Sequence, residues 1–346
     1  MSLVGLAEIA ELLGVSKQVV ANWRGRRPNF PAPVANLKAG PVWTSDSIAS
    51  WARIENIPLQ QSPEQRPGQV VRTPATVVAM MNMKGGVGKS TLTANLGWYA
   101  AVYRDLRVLL VDLDPQFNLS QYVLGIDGYE VLVREGAPTV EAIFRQGSGD
   151  PPVPFRNLIR PVQEWGDGSV LHVLPAGLEL AWSMRLALER SHVLRDGLSA
   201  VRDEYDIIII DCAPTESILS TAAYHAADYI FVPVKTEFLS TIGLPLLLRS
   251  LEEFRRNHIN EAVPEIGGII FNDTIERVED ARSRAYVRQV ADEHGLYVFS
   301  NEVSRSASYA AGARSGKPIF MTDNARDLKK REFSLVAREF LERIGR

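Results

Sequence analysis

Lys84-Gly85-Gly86-Val87-Gly88-Lys89-Ser90-Thr91 decides the reading of this chain. It follows an apolar run, Ala75 to Met81, and precedes a helical pattern, Leu92 to Val102. That strand–loop–helix context is the one a phosphate-binding loop needs. Glycines let successive backbone N–H groups converge on phosphate oxygens, and the helix N-terminus adds the positive end of its dipole. Lys89 is expected to reach the β- and γ-phosphates, and the Ser90 hydroxyl to bind Mg²⁺. The ordinary spacing, G-x-x-x-x-G-K-[ST], would put glycine at position 83, where the chain has Met83 with Lys84 beside it. A glycine-rich turn with a stray lysine would have no reason to sit between a buried strand and a helix.

Two further strands end in carboxylates. The run Arg107 to Val111 leads into Asp112-Leu113-Asp114-Pro115-Gln116, and Tyr205-Asp206 leads through four isoleucines to Asp211. Asp112 and Asp114 stand two apart, so in extended chain they project the same way. The uninterrupted β-branched run before Asp211 reads as parallel and buried on both faces. In an open α/β sheet, ligands bind at the carboxyl ends of strands, where Asp112, Asp114 and Asp211 fall. Hard oxygen ligands beside polyphosphate imply Mg²⁺. One strand-end Asp is often a plain turn former; three behind a phosphate loop describe a site.

Lys84 to Thr91, Val111 to Gln116 and Ile210-Asp211-Cys212-Ala213-Pro214 resemble the deviant Walker A, Walker A′ and Walker B motifs of the ParA/MinD ATPase family. The DLDPQ form, with Asn118 two residues on, is most similar to the ParA (Soj-like) branch. The similarity runs from about Thr76 to the C-terminus and includes Ala226 to Val234 and Gly316-Lys317-Pro318-Ile319. The resemblance implies ATP and Mg²⁺ as cofactors and a homodimer closed around ATP. In that dimer Lys84 contacts phosphates across the interface, while Gly85, Gly86, Val87, Gly88, Lys89 and Thr91 cradle them in cis. Ser90, Asp112 and Asp211 hold the metal, and Asp114 positions the attacking water. Asn272, at a strand end, is by analogy a candidate adenine contact, though an Asn there equally serves as a turn residue. The chain departs from the family pattern at Phe117, where a small residue is usual, and at Phe299-Ser300-Asn301, which lacks a proline common near the adenine pocket.

The chain has 346 residues, 46% hydrophobic and 23% charged, enough for a large core plus a small domain. Cys212 is the only cysteine, which excludes an intramolecular disulfide and points to a reducing cytosol. It also argues against the iron–sulfur reductases related to this family, which need two thiolates per subunit. A charged-then-apolar leader and an apolar run of about 18 residues are both lacking in the sequence, so neither secretion nor membrane spanning is expected. Net charge is −3, but residues 1–75 carry 8 Lys/Arg against 5 Asp/Glu, or +3, leaving 30 against 36, or −6, for the remainder.

That basic segment reads as a separate unit. Leu6 to Leu13 has helical spacing, Gly14 breaks it, and Ser16 is a good N-cap for a second helix, Lys17 to about Arg24. Ala10 is small where the helices would cross, and Val15, Val20 and Trp23 are spaced to fill the interface. Lys17, Gln18, Asn22, Arg24, Arg26 and Arg27 then remain outside, amide and basic groups suited to base edges and phosphates. Val34 to Trp43 reads as a wing hairpin and Thr44 to Trp51 as a capped third helix. The layout resembles a MerR/excisionase-type winged helix-turn-helix. A helical pair that only packs or dimerises would not need so many cations. Pro58 to Pro74 holds four prolines and no apolar periodicity, a solvated linker. The expected domains are therefore 1–57, DNA-binding; 58–75, linker; and 76–346, the P-loop ATPase.

Strand and helix patterns alternate after the motifs, among them a helical stretch over Leu178–Ala200, predicting an α/β fold with a mostly parallel sheet wrapped by helices. Arg277, Arg282, Arg284, Arg288 and Arg305 fall in the C-terminal third. The resemblance implies that such arginines bind DNA without sequence preference, by phosphate contacts; interspersed acids allow a solvated helix face instead. The last helix, Leu328 to Ile344, carries Phe333, Val336, Phe340 and Ile344 on one stripe, and both signs of charge elsewhere. Core packing is expected rather than the membrane-binding helix of the MinD branch. The reading is a cytoplasmic, nucleoid-associated partition or positioning ATPase, reset by a ParB-like activator. A nucleotide-sensing repressor and a MinD-like membrane-cycling positioner are the alternatives.

Overall fold

The computed structural model describes residues 3–13, 15, 17–26, 29–37, 40–55, 57, 73–145, 153–166, 168–183, 190–237, 242–275, 277–323 and 325–346. The chain opens with β1 (Leu3–Val4), α1 (Leu6–Leu12), α2 (Lys17–Arg26), β2 (Ala35–Leu37), β3 (Gly40–Thr44) and α3 (Ser45–Ile54). The three strands form an antiparallel sheet ordered β1-β3-β2. Ile9, Ala10, Leu13, Val20, Trp43, Ile48 and Trp51 are buried together, with Val15 and Trp23 packed on them. The apolar spacing read from the sequence therefore does pack the first two helices. Thr44 caps α3, its hydroxyl accepting from the Ser47 N–H at 3.2 Å. Gly14, Ser16, Arg27, Lys38 and positions 58–72 of the expected linker lie outside the described residues, as do the side chains of Gln18 and Arg26.

The body follows as β4 (Thr76–Met80), α4 (Lys89–Tyr103), β5 (Arg107–Leu113), α5 (Asn118–Arg134), α6 (Glu141–Arg145), β6 (Arg160–Glu164), β7 (Val170–Leu174), α7 (Leu180–Ser183), α8 (Val193–Ser199), β8 (Ile207–Cys212), α9 (Ile218–Ala226), β9 (Tyr229–Val234), α10 (Gly243–Asn257), β10 (Glu265–Thr274), α11 (Val278–Glu293), β11 (Val303–Ser304), α12 (Ala307–Arg314) and α13 (Asp327–Arg343). Among the described residues one eight-stranded sheet results, ordered β11-β10-β9-β4-β8-β5-β7-β6. It is parallel except for β6, which runs against β7. Alternation along the strands feeds two cores. Val77 and Ala79 join the layer of α9 and α10, whereas Val78 and Met80 join that of α4 and α13. Within the helical stretch expected over Leu178–Ala200 the described residues hold α7 and α8, with turns at 178–179 and 191–192; positions 184–189 lie outside the described residues.

Two details place the ends of the chain. Phe333, Val336 and Phe340 of α13 are fully buried against the sheet, so the last helix is a core element. Among the described residues no helix is long and apolar enough to cross a membrane. The small N-terminal unit touches the body through α3. Arg53 reaches the Val102 carbonyl at 3.3 Å and Asp105 at 2.6 Å, and Ile54 packs against the α4 layer.

Candidate functional site

After Met80 the chain turns over the carboxyl ends of β4 and β8, where Met80 and Asp211 are register partners. Asn82 fixes the start of the turn: its Nδ2 donates to the Pro233 carbonyl at 2.7 Å, and its Oδ1 accepts the Lys84 N–H at 2.9 Å. Gly243, heading α10, approaches so closely that a β-carbon there would lie 1.9 Å from that Oδ1. Only glycine fits. Gly88 has φ +90, and a β-carbon on it would sit 2.0 Å from Nδ2 of Asn272. That same amide donates to the Val87 carbonyl at 2.8 Å, so Asn272, the candidate adenine contact, also braces the phosphate loop.

The loop runs into α4 with no side-chain cap at Gly88, leaving first-turn N–H groups available to an anion. Lys89 is buried, its Nζ 3.5 Å from the Lys84 carbonyl, with Ser90 and Thr91 half-buried behind it. Gly85 and Gly86 are exposed, Val87 is buried beneath them, and Lys84 points outward as an exposed side chain.

Asp112 and Asp211 are register partners on adjacent β5 and β8, and both are fully buried. Asp112 is held by the head of α5. Its Oδ2 accepts from the Ser120 N–H at 2.8 Å and the Ser120 hydroxyl at 2.7 Å, and its Oδ1 from the Asp114 N–H at 3.1 Å. Burial nevertheless pushes Asp112 up to about 6, against those hydrogen bonds. Asp211 has no such support: both its oxygens are buried without a hydrogen-bond partner among the described residues. Burial, then the charge of Asp112, drive its pKa well above the carboxylate range, with Ser90 and Lys89 opposing. Ser90 lies near enough to exert that pull but outside hydrogen-bonding geometry. Asp114 sits at the rim, 7% exposed, its Oδ1 accepting the Gln116 N–H at 3.0 Å.

A buried anion with two unpartnered oxygens needs a cation. Hard oxygens from Asp211 and Ser90 under a phosphate cradle are the donor set Mg²⁺ takes, with water and phosphate completing its shell.

Three supporting residues escaped the sequence reading. Asn82 starts the loop's turn and Ser120 holds Asp112. Asn95, buried mid-helix, accepts the Ile319 N–H at 2.7 Å and donates to Tyr122 and the Thr91 carbonyl, each at 2.8 Å. It ties α4 to the Gly316–Ile319 segment. A polar residue on the apolar face of a helix is the signal that would have found it. Phe117 adopts φ +45 and stacks on Tyr129 at 5.1 Å, so the bulk that departs from the family pattern packs into the turn.

Several of the C-terminal arginines are held by carboxylates. Arg284 grips Glu302 through three hydrogen bonds of 2.8–3.0 Å, and Arg288 lies 3.7 Å from the same carboxylate. Arg305 grips Asp273 at 2.9 Å and reaches Glu237 at 3.3 Å. Arg282 pairs with Glu279 at 3.0 Å in full solvent contact, and Arg277 is exposed at the head of α11. In the N-terminal unit Lys17, Asn22 and Arg24 are exposed, with Arg24 over the Trp43 ring at 5.8 Å.

A family model described as an AAA domain matches residues 75–264. The chromosome-partitioning ATPase Soj of Treponema pallidum is 31% identical over 274 residues, covering 78% of this chain and 98% of its own length. The chain belongs to the ParA/MinD ATPase family. A second relative in the family, the chromosome partitioning protein ParA of Caulobacter vibrioides, is 32% identical over 262 residues, 72% of this chain and 88% of that one. Cyanothece McdA, solved as an ATP complex, matches with TM-score 0.65 at 20% identity, over 79% of this chain and 97% of its own, a likeness of fold. As a ParA/MinD member the chain is an ATPase, with ATP and Mg²⁺ as its cofactors.

Proposed function

We propose that this chain is a partition or positioning ATPase that dimerises around ATP·Mg²⁺, binds DNA without sequence preference, and is released after hydrolysis stimulated by a ParB-like activator. The observation that carries this reading is the pairing of an outward lysine, Lys84, with a buried, unpartnered Asp211 under one loop. An exposed lysine beside the phosphate cradle suits contact with a nucleotide held by a second copy. Residues 84–91 cradle the phosphates, Ser90 and Asp211 take the metal directly, and Asp112 supports it from the next strand. Asp114, at the rim, orients the attacking water. When bound, Mg²⁺ neutralises charge on the phosphates; the chain's own groups position, desolvate and switch. Relatives carrying the partitioning name support the role, and a nucleoid location in the cytoplasm follows from it.

Residues 1–57 act in this proposal as a winged helix-turn-helix that binds an operator, 58–75 as a linker, and 76–346 as the motor. The cations Lys17, Arg24, Arg26 and Arg27, with Gln18 and Asn22, would face DNA. One observation favours a second reading, a nucleotide-sensing repressor: Arg53 of α3 rests on the last turn of α4, the helix that starts in the phosphate loop.

The test compares DNA binding by the wild type and Lys84→Ala with ATP, ADP or no nucleotide, on random and upstream DNA. ATP-dependent, sequence-blind binding lost in Lys84→Ala supports the partition switch. Binding confined to upstream DNA and indifferent to Lys84 leaves the repressor.

A further inference from the structure

We propose that His192, His225 and Glu261 form a second metal site, for a first-row divalent cation of the zinc class, at the ends of α9 and α10 remote from the nucleotide loop. One ligand atom from each residue lies within 4.8 Å of the other two. Glu261 Oε2 stands 3.0 Å from His225 Nδ1 and 3.8 Å from His192 Nδ1. The two imidazole rings lie 3.9 Å apart, their planes at 46°. Ligand bonds of about 2.0–2.2 Å in a tetrahedral shell put neighbouring donor atoms about 3.3–3.6 Å apart, inside the spread seen here.

The unmet bonding capacity points the same way. The His225 side chain is fully buried, yet among the described residues neither ring nitrogen has a hydrogen-bond partner, and Nδ1 of His192 is buried in the same condition. The 3.0 Å contact to Glu261 has ion-pair distance but not hydrogen-bond geometry. Buried imidazole nitrogens are normally satisfied, and a cation among the three donors would satisfy them at once. His258 packs edge-on against His225 at 4.8 Å with its own Nδ1 donating to the Phe254 carbonyl. Arg195 lies 3.3 Å from Glu261 and steadies that carboxylate, as groups behind metal ligands do. Two imidazoles and one carboxylate leave a fourth position for water. Nitrogen donors select Zn²⁺, Co²⁺ or Ni²⁺ over Mg²⁺, so the site and the nucleotide site discriminate between cations.

The placement gives the ion something to do. His225 closes α9, which leaves the β8 end just beyond Asp211, and Glu261 follows α10, whose first residue packs on Asn82 and Lys84. A bound ion would fasten these two helices to α8, which His192 precedes.

The experiment titrates Co²⁺ into the full, untagged, nucleotide-free chain, reading visible d–d absorption and its loss on adding Zn²⁺. Wild type and Asp211→Asn should bind one equivalent with imidazole-type bands, and His192→Gln and Glu261→Gln should bind about tenfold or more weakly. Thermal unfolding without metal identifies any variant that fails to fold. His192, half-exposed, is the safer substitution. No band in the wild type, a band unchanged in both ligand variants, or a band lost in Asp211→Asn would overturn the proposal.

Discussion

The carboxyl edge of β4, β5 and β8 and the flank formed by α11 and the end of β10 both carry many charges, arranged in opposite ways. At the first, Asp211 is buried with both oxygens unpartnered among the described residues, and Asp112 stands beside it. At the second, Arg284 and Arg305 are each matched to carboxylates at 2.8–3.0 Å. Against the push of burial, Arg305 and Lys235 hold Asp273 below the usual carboxylate range. Unrelieved charge inside a protein persists only where a ligand relieves it. A charge already relieved by its neighbour serves the fold first. Charge alone therefore does not mark a site; charge without a partner does.

The largest effect should come from breaking the unrelieved side. Lys89→Ala removes the buried cation of the loop and should lower ATP turnover about 10²-fold or more, read as kcat with Mg²⁺ in excess. Asp211→Asn should cost about 10²-fold as well, but with an opposite effect on the resting protein. Removing a buried carboxyl that is costly to ionise should raise the Tm of the nucleotide-free chain. A lower Tm in Asp211→Asn would mean that this edge is relieved by contacts within the chain, and the contrast would fail.

The pH dependence sharpens the same point. Asp112 has its folded pKa raised to about 6 from 3.8. Its stabilising contribution is then complete below about pH 4 and is lost as pH rises toward about 6. His225, lowered to about 4 from 6.5, contributes in the opposite sense: stability is lost as pH falls through that window. The two overlap, so the difference between wild type and Asp211→Asn isolates the carboxylates. The wild type should lose more Tm than the variant on going from pH 4 to pH 6.5. Equal slopes would refute the coupling of Asp112 to Asp211.

How much of this was legible follows from the kind of interaction each residue makes. Lys84 to Thr91 and the strand-end aspartates announce themselves because local chain geometry creates the site: strand, turn, helix start. The parallel sheet was legible for the same reason, since the Ile207–Ile210 run can only be a doubly buried strand. Asn82, Asn95 and Ser120 were not, because their partners, Pro233, Ile319 and Ala176, lie 151, 224 and 56 residues away in the chain. The arginines were visible as charges but not as pairs. Arg284 meets Glu302 only once β11 is laid beside β10, and no periodicity encodes that.

The paired side supplies the smaller effects. Arg284→Ala leaves Glu302 half-buried without its bidentate partner and should cost about 2 kcal/mol of stability, read by denaturant unfolding.

Arg277 and Arg282 are the finer test. Arg282 shares only an exposed i,i+3 contact with Glu279, worth little to the fold, and Arg277 stands exposed at a helix head. Their alanine variants should leave stability within about 0.5 kcal/mol. If they meet phosphates in the ATP-bound dimer, each substitution should reduce the slope of log affinity against log salt by about 1 and weaken all sequences alike. Arg284→Ala should not change that slope, because its guanidinium is held by Glu302. If the slope instead falls for Arg284→Ala and not for Arg277→Ala, the pair with Glu302 opens on DNA, and this flank is a binding surface that the fold holds closed.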